Sequence, residues 1–256
     1  MKINKRVLAI ILCFALIISA HDSVASRASV ERQKTYETKL DKFMDTLSRK
    51  NPSEMVKSMK GLSPKTLNSI IKRCKTRYEG ISTDHFSTSQ KGNNARVNSA
   101  NTRSLLQSNL QTAWIAAALI AYDSGYPLSA TLVINSVLNQ NYTEYNGLFS
   151  SVIPSSPSFI NTLHAFRSSG LPSQVGYQQL SFPRYEIEDL YFSIHNVTSA
   201  DFYRYYNSVS VHLYDVYDFD LSCGNSLFVN LVNDWAWLCM HTDVLNEITV
   251  NISFSI

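Results

Sequence analysis

Glycine and proline are scarce, at 8 and 7 residues in 256, which excludes collagen-like and low-complexity classes. The chain has no glycine-rich phosphate loop and no Gly-x-Ser-x-Gly elbow, so neither a P-loop nucleotide site nor an α/β-hydrolase nucleophile is encoded. Long apolar runs are also missing. The only extended one, Val7–Ile18, falls short of the roughly 20 residues that span a bilayer. Cysteine is sparse: Cys13 lies inside that run, leaving Cys74, Cys223 and Cys239. Three are too few to scaffold an exported chain, so an apolar core must supply most of the stability. The spacing of Cys223 and Cys239 fits a disulfide or two buried thiols, and Cys223 ahead of a helix also fits an activated thiol. Histidines 164, 195, 212 and 241 are scattered, with no pair four apart on a helix and no zinc-knuckle cysteine spacing.

What is present begins with a targeting signal. Lys2, Lys5 and Arg6 precede the apolar run, and small residues follow at Ser19-Ala20 and Ser23-Val24-Ala25. This order reads as a secretory signal peptide over residues 1–25, and the mature chain is expected to be secreted. Any membrane association is then at most peripheral. About 230 residues remain, enough for one substantial core. Asn141-Tyr142-Thr143, Asn196-Val197-Thr198 and Asn251-Ile252-Ser253 match the N-glycosylation acceptor pattern.

Charge is unevenly distributed. Residues 27–79 hold 14 Lys and Arg against 6 Asp and Glu, whereas residues 80–256 hold 6 against 13. Residues 29–80 read as a basic three-helix arm. Its helices are 29–50, ended by Asn51-Pro52; 53–60, stopped by Gly61; and one opened by Ser63-Pro64 with Leu67, Ile70, Ile71 and Cys74 inward. Residues 81–103, rich in Ser, Thr, Asn and Gln, read as a polar linker exposed to proteases. Such asymmetry suits docking of one half on the other, or an anionic partner.

Residues 104–256 read as an α+β domain. Ser104–Asp123 and the segment from Pro127 to Leu138 form a helical hairpin, and alanines at 113, 116, 117, 118 and 121 allow close approach. Asn139–Ser155 reads as loop. Pro157 opens a further helix that Gly170 ends. Tyr185–His195 reads as a strand, Asn196–Asp201 as a turn, Leu227–His241 as a helix and Glu247–Ile256 as a closing strand. The expected fold is a helical arm followed by a domain with a helical hairpin and a small mixed or antiparallel sheet.

The central strand, Tyr206–Asp220, carries the sharpest local signal. Val209, Val211, Leu213, Tyr217 and Phe219 share one face, and Ser208, Ser210, His212, Tyr214, Asp218 and Asp220 the other. Alternation places Asp215 on the apolar face, where a carboxylate demands a bulge, a partner or a use. Asp215, Asp218 and Asp220 form a candidate divalent-cation cluster, and Asp215 with Asp218 a candidate acid–base pair. His212, Tyr214 and Tyr217 are candidate binding residues. The spacing does not match a helix–loop–helix calcium loop. Asp215-Val216-Tyr217-Asp218 resembles the Asp-x-Tyr-Asp element of colicin M-type bacteriocins, which implies hydrolysis of a lipid-linked peptidoglycan precursor. The resemblance covers these four residues, and Leu221–Asn225 offer no counterpart to the family's His-Arg pair.

The function expected from these features is an exported cell-surface or extracellular interaction module whose basic arm meets an anionic surface or an acidic protein. The alternative is a secreted hydrolase or toxin-like effector using the acidic site, with no resident cofactor beyond a divalent cation. The acidic second half and the lack of aromatics interleaved with the lysines exclude a nucleic-acid binder.

Overall fold

The computed structural model describes residues 27–87, 95–176, 180–218 and 243–256. The signal peptide, Asp220, Cys223, Cys239 and the 227–241 helix lie outside these residues. Within them the chain is α+β, with eight helices and a five-stranded mixed sheet.

The first layer is helical: α1 (Arg27–Leu47), α2 (Pro52–Met59), α3 (Pro64–Ser87), α4 (Ala95–Asp123) and α5 (Pro127–Leu138). Local chemistry sets several of its ends. The Asn51 side chain accepts the Glu54 N–H at 2.9 Å with Pro52 in the first turn of α2, satisfying a donor that has no partner inside the helix. Gly61 (φ 84°) turns the chain beyond α2, and Ser63 caps α3 through the Thr66 N–H. The inward stripes Leu40–Met44–Leu47 and Leu67–Ile70–Ile71–Cys74 pack with Met55 and Met59 against Ala113, Trp114, Ile115, Ala116 and Ile120 of α4. Val137 of α5 and Val244 and Leu245 complete this core. Each large side chain buried there contributes roughly 1.5–3 kcal/mol. The basic segment is therefore built into a core with the residues that follow it. Arg73 forks onto Asp41 and Arg77 reaches Asp45 at 2.8 Å, tying α3 to α1. The Arg73 hydrogen bonds hold the Asp41 carboxyl below its usual range.

Several boundaries depart from the sequence reading. Gly80 lies inside α3, and most of the expected polar linker is helical, at 81–87 and 95–103. Serine, threonine and asparagine cost only tenths of a kcal/mol each in a helix, and no proline interrupts the segment. Asn139–Ser155, expected as loop, holds β1 (Tyr142–Tyr145), α6 (Leu148–Val152) and a short 3₁₀ turn. Tyr185–His195, expected as a strand, instead contains α8 (Glu188–Ile194). Glu188 and Asp189 favour a first helical turn, and Leu190 and Ile194, four apart, bury on one side.

The sheet runs β1–β5–β4–β3–β2, where β2 is Ser173–Gln174, β3 Ser199–Tyr205, β4 Ser208–Tyr217 and β5 Ile248–Ser255. β1 pairs parallel with β5, and every other pair is antiparallel. Its inner face packs under α7 (Pro157–Ser169), α8 and the start of α5. Phe159 meets Phe254 and Phe202 with centroids 5.6 and 6.2 Å apart. Gly170 (φ 72°) ends α7, and the Arg204 guanidinium of β3 donates to the carbonyls of Phe166, Arg167 and Leu171 there.

Three helices, α5, α6 and α7, start on a carboxylate from the sheet half that is not their own N-cap residue. Asp189 accepts the N–H groups of Leu128 and Ser129 at 2.8 and 3.0 Å. Glu144 accepts those of Phe149 and Ser150 at 3.1 and 2.7 Å. Glu186 takes the Ser158 N–H and the hydroxyls of Ser156 and Ser158. A negative charge at the positive end of a helix is favourable, and these acids satisfy otherwise orphaned donors. At Glu186 burial opposes ionisation, but the serine hydrogen bonds outweigh it and hold the carboxyl below its ordinary value.

Candidate functional site

The pleat of β4 sorts the central-strand residues onto two sides. Val209, Val211, Leu213, Asp215 and Tyr217 point into the core, while His212 and Tyr214 are exposed on the outer face. Asp215 is thus buried, as alternation requires, and no bulge turns it outward: β4 pairs with β5 in continuous register from Ser210 to Tyr217. Its partner is the Thr198 hydroxyl, 2.9 Å from Oδ1, joined by the backbone N–H groups of Val216 and Thr198. Burial nevertheless dominates and raises the Asp215 pKa, with the hydrogen bonds and nearby His195 pulling the other way. His195 and Thr198 are exposed, so this carboxyl lies just beneath the surface where β4 ends.

Of the other expected site residues, His212 and Tyr214 lie on the opposite face of the strand. Asp218, one residue past β4, is exposed, and Asp220 is outside the described residues. Among the described residues no group of three or more His, Cys, Asp or Glu is placed to hold a metal ion. Tyr217 is 6% exposed, which keeps it from the surface, and burial together with Asp189 pushes its phenol above the ordinary range. Cys74 is a buried free thiol whose pKa burial raises to about 12, so it is inert at neutral pH.

The outer face assembles residues from four strands. Register places Asp201, His212, Ser253 and Tyr145 in one row, and Ser199, Tyr214, Asn251 and Thr143 in the next. His212 Nδ1 lies 2.9 Å from Ser253 Oγ and its Nε2 3.3 Å from Ser210 Oγ. The Tyr203 ring meets the imidazole edge-on at 5.7 Å. Asp201 is held by the Gly176 N–H at 2.7 Å and by Ser199. A hydroxyl on each ring nitrogen satisfies either tautomer of the imidazole. Among the described residues the ring nitrogens meet these two serine hydroxyls and no carboxylate, the group that orients the base in a nucleophile–base–acid triad. The sequence places His212 and Tyr214 on an outer face; it does not reveal Ser253 or Thr198 as their neighbours and Asp215's, because those pairings depend on strand register.

A third surface belongs to the helical layer. Lys34, Lys39, Lys42, Arg49, Lys57, Lys60, Lys65 and Lys72 are exposed, while Arg73 and Arg77 are engaged with Asp41 and Asp45. No described helix is long and apolar enough to cross a membrane.

Fold and surfaces together define an α+β protein with a lysine-rich helical layer and a polar, tyrosine-bearing sheet face. No protein-family model matches the chain, and no curated protein or solved structure is similar to it.

Proposed function

We propose that the chain is exported and acts as an extracellular interaction module that docks on anionic surfaces through the lysines of α1, α2 and α3. One observation carries this reading: Lys34, Lys39, Lys42, Lys57, Lys65 and Lys72 project from helices whose opposite sides are fixed in a core, and no ion pair joins any of these six to a carboxylate among the described residues. Charge mounted on a rigid layer is attracted to a polyanion or an acidic leaflet without first folding an arm. Each lysine near an anionic membrane is worth about 1 kcal/mol. Replacing Lys42, Lys57, Lys65 and Lys72 together with glutamine should then weaken co-sedimentation with phosphatidylserine vesicles by roughly three orders of magnitude at low salt. Wild-type binding should fade as ionic strength shortens the Debye length below about 10 Å. Binding that is unchanged in the four-lysine variant would remove the proposal. Deleting residues 29–80 is not an equivalent test, because it would strip the core beneath α4.

A second reading, a secreted hydrolase or toxin-like effector, rests on Asp215: a carboxyl with raised proton affinity beside exposed Thr198 and His195 suits general acid catalysis. Its mark would be a hydrolytic activity that falls as pH rises and is lost in Asp215→Asn.

A further inference from the structure

The outer sheet face differs in kind from the lysine layer, and a separate observation bears on it. Along its two central rows only Asp201 and His212 can carry charge at neutral pH, and the remaining side chains are hydroxyl, amide or phenol. Those rows contain no Leu, Ile, Met or Phe, so they lack the apolar centre that a protein partner would be expected to bury. Nor do they contain Lys or Arg to hold a phosphate or another polyanion. Tyr145 and Tyr214 stand exposed, at 68% and 38%. A tyrosine ring offers a rigid apolar face together with a hydrogen-bonding hydroxyl.

We infer that this face is a binding site for an uncharged polysaccharide, with Tyr145 and Tyr214 stacking on sugar rings and the Ser253–His212–Ser210 chain and Asn251 meeting sugar hydroxyls. Apart from His212 and from Asp201, whose carboxylate already accepts from the Gly176 N–H and the Ser199 hydroxyl, the rows offer uncharged hydroxyl, amide and phenol groups that match a neutral, hydroxyl-bearing ligand. Adjacent strands lie about 4.8 Å apart, so an extended ligand crossing the sheet meets a new side chain at each step. His212 is held between two hydroxyls, which leaves the row pre-organised and lowers the ordering cost of binding. This site is independent of the lysines and stands or falls separately from the anionic-surface reading.

The test is affinity electrophoresis of the full chain through native gels, each carrying one uncharged polysaccharide: a glucan, a mannan, a xylan or an N-acetylglucosamine polymer. Retardation is expected in at least one gel, at low and high salt alike. Tyr214→Ala and Tyr145→Ala should each reduce it at least fivefold, whereas the four-lysine variant should be retarded as strongly as wild type, each measured against its own mobility in a polysaccharide-free gel. Thermal melts check that both tyrosine variants remain folded; Tyr145, near the end of the edge strand β1, keeps the test usable if Tyr214→Ala is unstable. Unretarded migration in all four gels would overturn the inference. So would retardation that survives both tyrosine substitutions, or retardation that high salt abolishes.

Discussion

The two halves of the molecule use their charges in opposite ways. In the helical layer the cations project outward, and α2 and α3 start on local residues, Asn51 and Ser63, while α5 alone starts on an acid from the sheet half, Asp189. In the sheet half four of the anions turn inward: Asp189, Glu144 and Glu186 sit on helix N-termini, and Asp215 lies under the sheet edge. The count of 6 basic against 13 acidic residues in the second half therefore overstates its negative surface field. What the sequence presents as complementary halves is, in the fold, a positive exterior on one side and a set of internal anchors on the other.

The comparison breaks most visibly at Asp189. Asp189→Ala leaves the N–H groups of Leu128 and Ser129 without their acceptor, and leaves the Ser129 hydroxyl only the backbone carbonyl of residue 189 at 3.3 Å. The expected loss is about 3 kcal/mol, seen as a lowered urea midpoint with an unchanged slope. A loss below about 0.5 kcal/mol, the scale of ordinary surface substitutions, would show that the acid is not an anchor. Gly147→Ala should have the next largest effect. A methyl there would fall 2.5 Å from Glu144 Oε2, forcing the carboxylate off the start of α6 at a cost of about 2 kcal/mol. The same substitution in a Glu144→Ala background should cost less, and equal costs in both backgrounds would sever the link between the glycine and the cap.

The smallest effect sharpens the comparison through its sign. Glu186 is held below its ordinary pKa, so the stability it contributes is present above about pH 4.5 and is lost as pH falls through its folded value. Asp215 is shifted upward, so its contribution is present below about pH 3.8 and is lost as pH rises through its folded value. Urea titrations of Glu186→Gln and Asp215→Asn against wild type, over about pH 3 to 7, should give differences of opposite slope, with about 1 kcal/mol at stake for Glu186 at neutral pH. Slopes of the same sign would refute this assignment.

Much of this architecture is written locally and was legible. The alternation of Ile248, Val250, Ile252 and Phe254 marks β5, and Pro157 with Gly170 brackets α7. The inward placement of Asp215 follows from period two alone. Other features depend on partners distant in sequence. Asp189 and Leu128 are 61 residues apart, and nothing near either residue indicates the other. The segment before His195 is misread because Leu190 and Ile194 satisfy both a two-residue and a four-residue period, and packing against α5 settles which prevails. The helical content of the polar stretch, at 81–87 and 95–103, escapes a composition-based reading because weak helix propensity is not the same as a helix break.

The parallel pairing of β1 with β5 imposes an order on biosynthesis. Asn141 and Thr249, bonded at the head of that pair, are 108 residues apart, so Tyr142–Tyr145 must wait unzipped while the whole hairpin of β3 and β4 is translated. The Phe202 and Phe254 side of the sheet therefore closes last, leaving a nascent chain with one greasy, half-built surface that a chaperone would meet first.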